Sequence, residues 1–193
     1  MAYDDKTALI VVDMQNDFAD PSGSLYIQGG ETAIGYINEQ IATASAAGAT
    51  LAYSQDWHPE TTPHFAKDGG VWPVHCVGGT GGADFHPELD VRDGAVFIKK
   101  GSGGEDGYSA FGMRDPVTGE HSRTGLGASL PGIERIVIIG LALDYCVKET
   151  ALDGIGDGYE VVVLADGTRA VNLAPGDGAR AVADMVAAGV SVL

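Results

Sequence analysis

Ile138-Ile139-Gly140-Leu141-Ala142-Leu143-Asp144-Tyr145-Cys146-Val147 is an apolar run that passes through a glycine and opens into a helical pattern. Such a switch from period two to period 3.6 across a short turn marks a strand feeding a helix. The same alternation recurs along the chain. Thr7 to Val12, Ala49 to Ser54, Ala95 to Lys99, Ile136 to Gly140, Glu160 to Ala165 and Val190 to Leu193 read as strands. Several are almost wholly apolar, as expected of parallel strands covered on both faces. Thr32 to Ala47, Asp144 to Gly154 and Pro175 to Ala188 read as helices. The last has Pro175 near its start and Gly189 just past its end, the asymmetry of helix termini. The pattern predicts an α/β fold: a doubly wound, mainly parallel sheet of about six strands with right-handed crossovers and helices on both faces.

Two stretches interrupt the rhythm. Residues 56–90 are rich in Gly, Pro, His and Trp, and residues 101–127 are Gly-rich, with residues 113–122 reading as a solvent-exposed excursion. Trp57, Phe65, Trp72, Phe85, Tyr108 and Phe111 lie in them, and aromatics in long loops point to ordered binding segments. There is no repeat, linker or low-complexity tract, so residues 1–193 are expected to form a single domain.

The formal net charge is −16, which argues against nucleic acid and against anionic lipid as partners. The acidic residues are scattered, as on a solvated surface. No apolar run approaches the roughly eighteen residues of a membrane span, and the segment from Met1 to Lys6 lacks a basic n-region. Two cysteines without framework spacing suit a reducing compartment, so a cytoplasmic protein is expected. Whether it forms a homo-oligomer is left open.

Chemistry is expected where strands end, because open parallel sheets bind ligands beyond their carboxyl edge. A thiol at the turn holding Cys146 can be favoured as thiolate by backbone N–H groups and a helix dipole, although a lone cysteine is ordinarily a small buried hydrophobe. Asp13 closes the first strand, where burial and a neighbouring cation would tune it as a proton carrier; it could equally cap a turn. Lys99 and Lys100 close the third strand on opposite faces, so only one of them can point at a site there. Asp56, His58, His64 and His75 combine a carboxylate with imidazoles, a set suited to zinc, iron or manganese. Four of the five histidines fall between His58 and His86. His86, followed by proline, reads as an ordinary loop residue. Phosphate-binding and serine-elbow motifs are absent.

Ala8 to Phe18, Asp56-Trp57-His58, His64-Phe65, Trp72 to Val77, Val96 to Gly101 and Gly140 to Val147, in this order, resemble the isochorismatase-like cysteine hydrolases, and within them the nicotinamidase (pyrazinamidase) group. The resemblance implies that Cys146 is the nucleophile and Asp13 the proton carrier. It selects Lys100, which precedes a glycine, over Lys99. It implies one divalent metal ion held by Asp56, His58, His64 and His75, with zinc the first candidate and iron or manganese also suited. Phe18, Trp72 and Tyr108 match aromatics that hold the pyridine ring of a small carboxamide substrate. The peptide between Leu141 and Ala142 matches one that is cis in the family, and the N–H groups of Ala142 and Cys146 match an oxyanion hole. Tyr145 falls at a variable family position and is given no catalytic role. The implied activity is hydrolysis of nicotinamide through a thioester, with pyrazinamide also accepted, serving NAD salvage. The alternatives are hydrolysis of another small amide or ureido compound, or a catalytically inactive binding relative.

Overall fold

Six strands line up in the order β3-β2-β1-β6-β7-β8, every neighbouring pair parallel, in a computed structural model that describes residues 1–193. The strands are β1 (Thr7–Val12), β2 (Thr50–Asp56), β3 (Val96–Lys100), β6 (Arg135–Leu141), β7 (Glu160–Arg169) and β8 (Ser191–Val192). Helices α2 (Gly30–Ala46), α3 (Lys148–Gly156) and α4 (Asp177–Ala187) cover them, with a short α1 (Asn16–Ala19) directly after β1. No helix is long and apolar enough to cross a membrane.

Strand β1 is completely buried and shows how two cores arise from one sheet. Leu9 and Val11 belong to a cluster with Ile34, Ile37 and Ile41 of α2. Ala8, Ile10 and Val12 belong to a second cluster with Ala151 of α3 and Met185 of α4. The period-two alternation of a strand thus meets the i, i+3, i+4 spacing of helices on both faces. Each buried aliphatic side chain contributes roughly 1.5–3 kcal/mol of transfer free energy.

The irregular stretches are ordered. Residues 113–122, expected as an exposed excursion, take part in an antiparallel hairpin of β4 (Gly112–Arg114) and β5 (His121–Arg123). Asp115 organises its turn, its carboxylate accepting from the N–H groups of Val117 and Thr118 at 2.8 Å each. Strand β7 outruns the expected Ala165: the register jumps through an irregularity and resumes with Thr168 opposite Gly140.

Gly140 stands opposite Val12 where the central strands β1 and β6 end. Its φ is +114°, and a β-carbon there would collide with the backbone of Val12. Only glycine satisfies both demands. The peptide Leu141–Ala142 that follows is cis.

Candidate active site

Three strand ends and one turn meet around a buried ammonium. Asp13 follows β1 in a left-handed conformation (φ 49°) that aspartate tolerates better than most residues. Its Oδ1 accepts from Ser54 Oγ at 2.7 Å. Lys100 ends β3 and has no exposed surface. Its Nζ lies 2.6 Å from Asp13 Oδ2, pairs with Asp56 Oδ1 at the end of β2, donates to the Gly107 carbonyl, and stands 3.5 Å from Cys146 Sγ. Lys99 points the other way, with its ammonium 3.2 Å from the centroid of the Trp57 ring. The structure therefore brings Lys100, not Lys99, to Cys146.

Cys146 lies in a π-helical turn (Leu143–Val147), two residues before α3 begins. Burial drives its thiol well above the ordinary range. Lys100 pulls it down, but Asp13 and Asp56 add to burial. Burial thus works against the thiolate that the turn was expected to favour, and Lys100 alone opposes it, one cation facing two carboxylates as well as the sulfur. Burial also pushes the Asp13 carboxyl up, against the pull of Lys100, to about 6. For Asp56 the balance reverses. Burial would raise it, but Lys100 and the His58 and His75 imidazoles hold it well below the usual carboxylate range. Asp13, Asp56 and Cys146 lie close enough to ligate a metal, but the Lys100 ammonium already occupies their centre.

The adjoining cluster is different. Ring nitrogens of His58, His64 and His75 lie within 4.8 Å of one another, all three residues buried. Asp56 Oδ2 is 3.5 Å from His58 Nε2 and 3.8 Å from His75 Nε2, so Asp56 faces Lys100 with one oxygen and the imidazoles with the other. His75 Nδ1 is 2.7 Å from the Pro73 carbonyl and must carry its proton there, which leaves Nε2 a free lone pair. His64 Nδ1 is 3.0 Å from Asp106 Oδ1. Neither nitrogen of His58 has a hydrogen-bond partner, a costly state for a buried imidazole that offers lone pairs inward. These residues fit a divalent ion.

Phe18, Trp72 and Tyr108 line a small cavity that reaches Cys146, Ala142, Asp56, His64 and His75. Trp72 Nε1 donates to Tyr108 Oη at 2.9 Å. The Phe18 ring lies 5.4 Å from that of His75.

Several contributors escaped sequence reasoning. The buried Gln15 amide donates to the carbonyls of Asp56 (2.7 Å) and Ala83 (2.8 Å) and accepts from the Asp56 N–H (2.8 Å), fixing the end of β2. Asp17 Oδ2 accepts from the Cys76 N–H at 2.7 Å, anchoring the residue after His75. Asp106 orients His64, and Tyr145 joins the cavity wall. Gln15 sits in the polar turn Asp13-Met14-Gln15-Asn16-Asp17, where one more polar residue gives no signal, and Asp106 sits in a loop without periodicity. Cys76, also buried, is pushed well above the ordinary thiol range by burial and nearby carboxylates. His86 stays outside the cluster, its Nδ1 accepting from the Glu88 N–H at 3.2 Å.

Comparison with known proteins matches residues 7–193 to the Isochorismatase domain. The nicotinamidase of Escherichia coli (strain K12) is 37% identical over 203 residues, covering 96% of this chain and 93% of that protein. The zinc complex of the Pyrococcus horikoshii pyrazinamidase superposes with a TM-score of 0.86 at 38% identity, covering 97% of this chain and 98% of that one. The nicotinate complex of PnC1 from L. infantum gives 0.89 at 36% identity, covering 100% and 95%. The parallel sheet, the buried cysteine site at its carboxyl edge and these matches lead to one assignment: the chain belongs to the isochorismatase domain family.

Proposed function

We propose that residues 1–193 act as one catalytic domain, a metal-dependent nicotinamidase that hydrolyses nicotinamide, and pyrazinamide, to the acid and ammonia. The observation that carries this reading is the juxtaposition of the Asp13-Lys100-Cys146 group with a buried three-imidazole cluster, across a small aromatic cavity. The E. coli and P. horikoshii relatives support the substrate class, the latter in complex with zinc.

The carboxamide carbon would stand over Cys146 with the ring between Phe18, Trp72 and Tyr108. As sulfur attacks, its proton passes to Asp13 and the carbonyl electrons move onto oxygen, where the Ala142 and Cys146 N–H groups receive the charge. Collapse of the tetrahedral intermediate breaks the C–N bond. Asp13 returns the proton to nitrogen, so ammonia leaves and a thioester remains. Asp13 then takes a proton from water while the water oxygen attacks the thioester carbon. Breaking the C–S bond frees the acid, and the sulfur recovers its proton from Asp13. Lys100 stays charged throughout, because Asp13, Asp56 and Cys146 hold its ammonium well above the usual range despite burial. Its role is to keep the carboxylates ionised and to offset charge developing on sulfur.

Asp56, His58, His64 and His75 would hold one divalent ion, zinc first, iron or manganese as alternatives. When bound, that ion supplies a Lewis-acid contact for the ring nitrogen and so positions the ring. Both cysteines are free and buried, which suits cytoplasmic localisation, also part of the proposal.

The test is ammonia release from nicotinamide by untagged protein, with Cys146→Ala as control and metal content measured on the same preparation. Release that depends on Cys146, with about one ion per chain, is expected. No release from a folded, metal-loaded sample would overturn the reading.

A further inference from the structure

The residue before the nucleophile has a job in the geometry that the resemblance did not give it. Tyr145 lines the catalytic cavity, and it also lines a larger neighbouring groove. Tyr108 is the only other residue common to both walls. Two phenol rings therefore stand between a small, mostly apolar cavity and a larger groove lined by Lys148, Glu149, Asp177 and Asp184.

The two tyrosines are held differently. Tyr108 is tied through its hydroxyl to Trp72 Nε1. Tyr145 has no hydrogen bond from its hydroxyl to any protein group, and only packing fixes its ring: edge-on to Trp72 at 4.9 Å and tilted against Tyr108 at 5.7 Å. Its backbone, by contrast, is anchored on both sides. Asp144 accepts from the N–H groups of Val171 and Asn172 at 2.9 and 2.8 Å, and Cys146 is buried against the central sheet. Changing the Tyr145 side chain thus removes wall without moving the nucleophile.

We propose that Tyr145 is a specificity-determining residue: its ring sets the upper size limit of the substrate by closing the cavity against the groove. Pyridine carboxamides bearing a small neutral ring substituent are excluded because the substituent meets this ring. The proposal rests on the nicotinamidase reading and adds the residue that limits it. A methylene-sized misfit in a snug pocket changes discrimination by about 10- to 200-fold, which is the scale at stake.

The experiment compares kcat/KM for nicotinamide with that for nicotinamides methylated at ring carbon 4, 5 or 6, in wild type, Tyr145→Phe, Tyr145→Ala and Tyr145→Leu. In Tyr145→Phe the ratios should stay within about twofold of wild type. In Tyr145→Ala and Tyr145→Leu the ratio for at least one methyl position should rise about tenfold or more, carried mainly by KM. A purely structural role would lower all substrates together and leave the ratios alone. Unchanged ratios in Tyr145→Ala and Tyr145→Leu overturn the proposal while ammonia release from nicotinamide keeps the underlying reading intact. Absence of that release in wild type overturns both. Should Tyr145→Ala fail to fold, Tyr145→Leu decides.

Discussion

The carboxyl edge of the sheet and the histidine loop reach comparable order by different means. Asp13, Asp56 and Lys100 sit at the ends of β1, β2 and β3, whose ladders fix each residue's height and facing. His58, His64 and His75 lie outside regular strands. Only fragments of ladder hold them, with the His58 N–H donating to the Cys76 carbonyl and the Gly78 N–H to the His58 carbonyl, both at 2.9 Å. The electrical contrast is sharper. The strand-end group is closed, one ammonium set between two carboxylates and a thiol. The imidazole group is open, with both ring nitrogens of His58 lacking partners. The two groups share only Asp56, so losing the ion should leave Asp13, Lys100 and Cys146 in place and change the nucleophile's surroundings only through that carboxylate.

The largest expected effect tests which cysteine belongs to the closed group. Cys146→Ala should reduce turnover by at least about 10⁴-fold, whereas Cys76→Ala should stay within several-fold of wild type. Equal losses in an ammonia-release assay would dissolve the distinction between the two regions.

Lys100→Met comes next. It leaves two buried carboxylates facing one another, so it should lower unfolding free energy by about 3–5 kcal/mol and slow iodoacetamide alkylation of Cys146. Lys99→Met removes only a half-exposed contact with Trp57, worth about 0.5–1 kcal/mol. Denaturant titration and alkylation rates check both. A larger loss for Lys99 would mean that the wrong lysine has been placed at the centre.

Chelation probes the open group. Nicotinamide and benzamide share a carboxamide and a shape but differ in the ring nitrogen. The metal-loaded enzyme should prefer nicotinamide by at least about 10²-fold, and stripping should erase most of that preference. Alkylation of Cys146 should proceed at an unchanged rate. If the preference survives stripping, ring recognition lies with the aromatic wall alone.

The smallest effect refines the same boundary. Asp106→Asn should weaken metal binding by about 10- to 100-fold, read by competition with a chromogenic chelator, by loosening His64. Unchanged affinity would make the Asp106–His64 contact incidental.

How far the sequence disclosed this arrangement follows the same division. Strand β1 was read at its observed limits because every residue after Thr7 is apolar and its end meets a charged residue, Asp13. The continuation of β7 past Asp166-Gly167 was missed, since those residues read as a turn while the sheet carries the strand through an irregularity. The hairpin of β4 and β5 was missed because its strands are short and largely exposed, which leaves no apolar alternation to detect. Composition could suggest a metal set around His58, but its grouping with His64 and His75 rests on folded loops that no periodicity encodes. The electrostatic balance around Cys146 depends on the charges that surround it, and those surroundings exist only once Asp13, Asp56 and Lys100 are all placed.

The sheet order carries a consequence for the way activity returns on refolding. Lys100 lies 44 residues from Asp56 and 46 from Cys146, and Ser54 lies 41 from Asp13, so the side-chain contacts that join the catalytic group are distant in sequence. Long-range parallel pairing is slow to form. A chain with β1 and β2 paired but β3 still free would bury Asp13 and Asp56 with no cation between them, and one with β6 still free would lack Cys146 beside them. The catalytic group is therefore expected to appear late and all at once. Regain of ammonia release should track the final cooperative step of sheet assembly, never the early growth of helix signal.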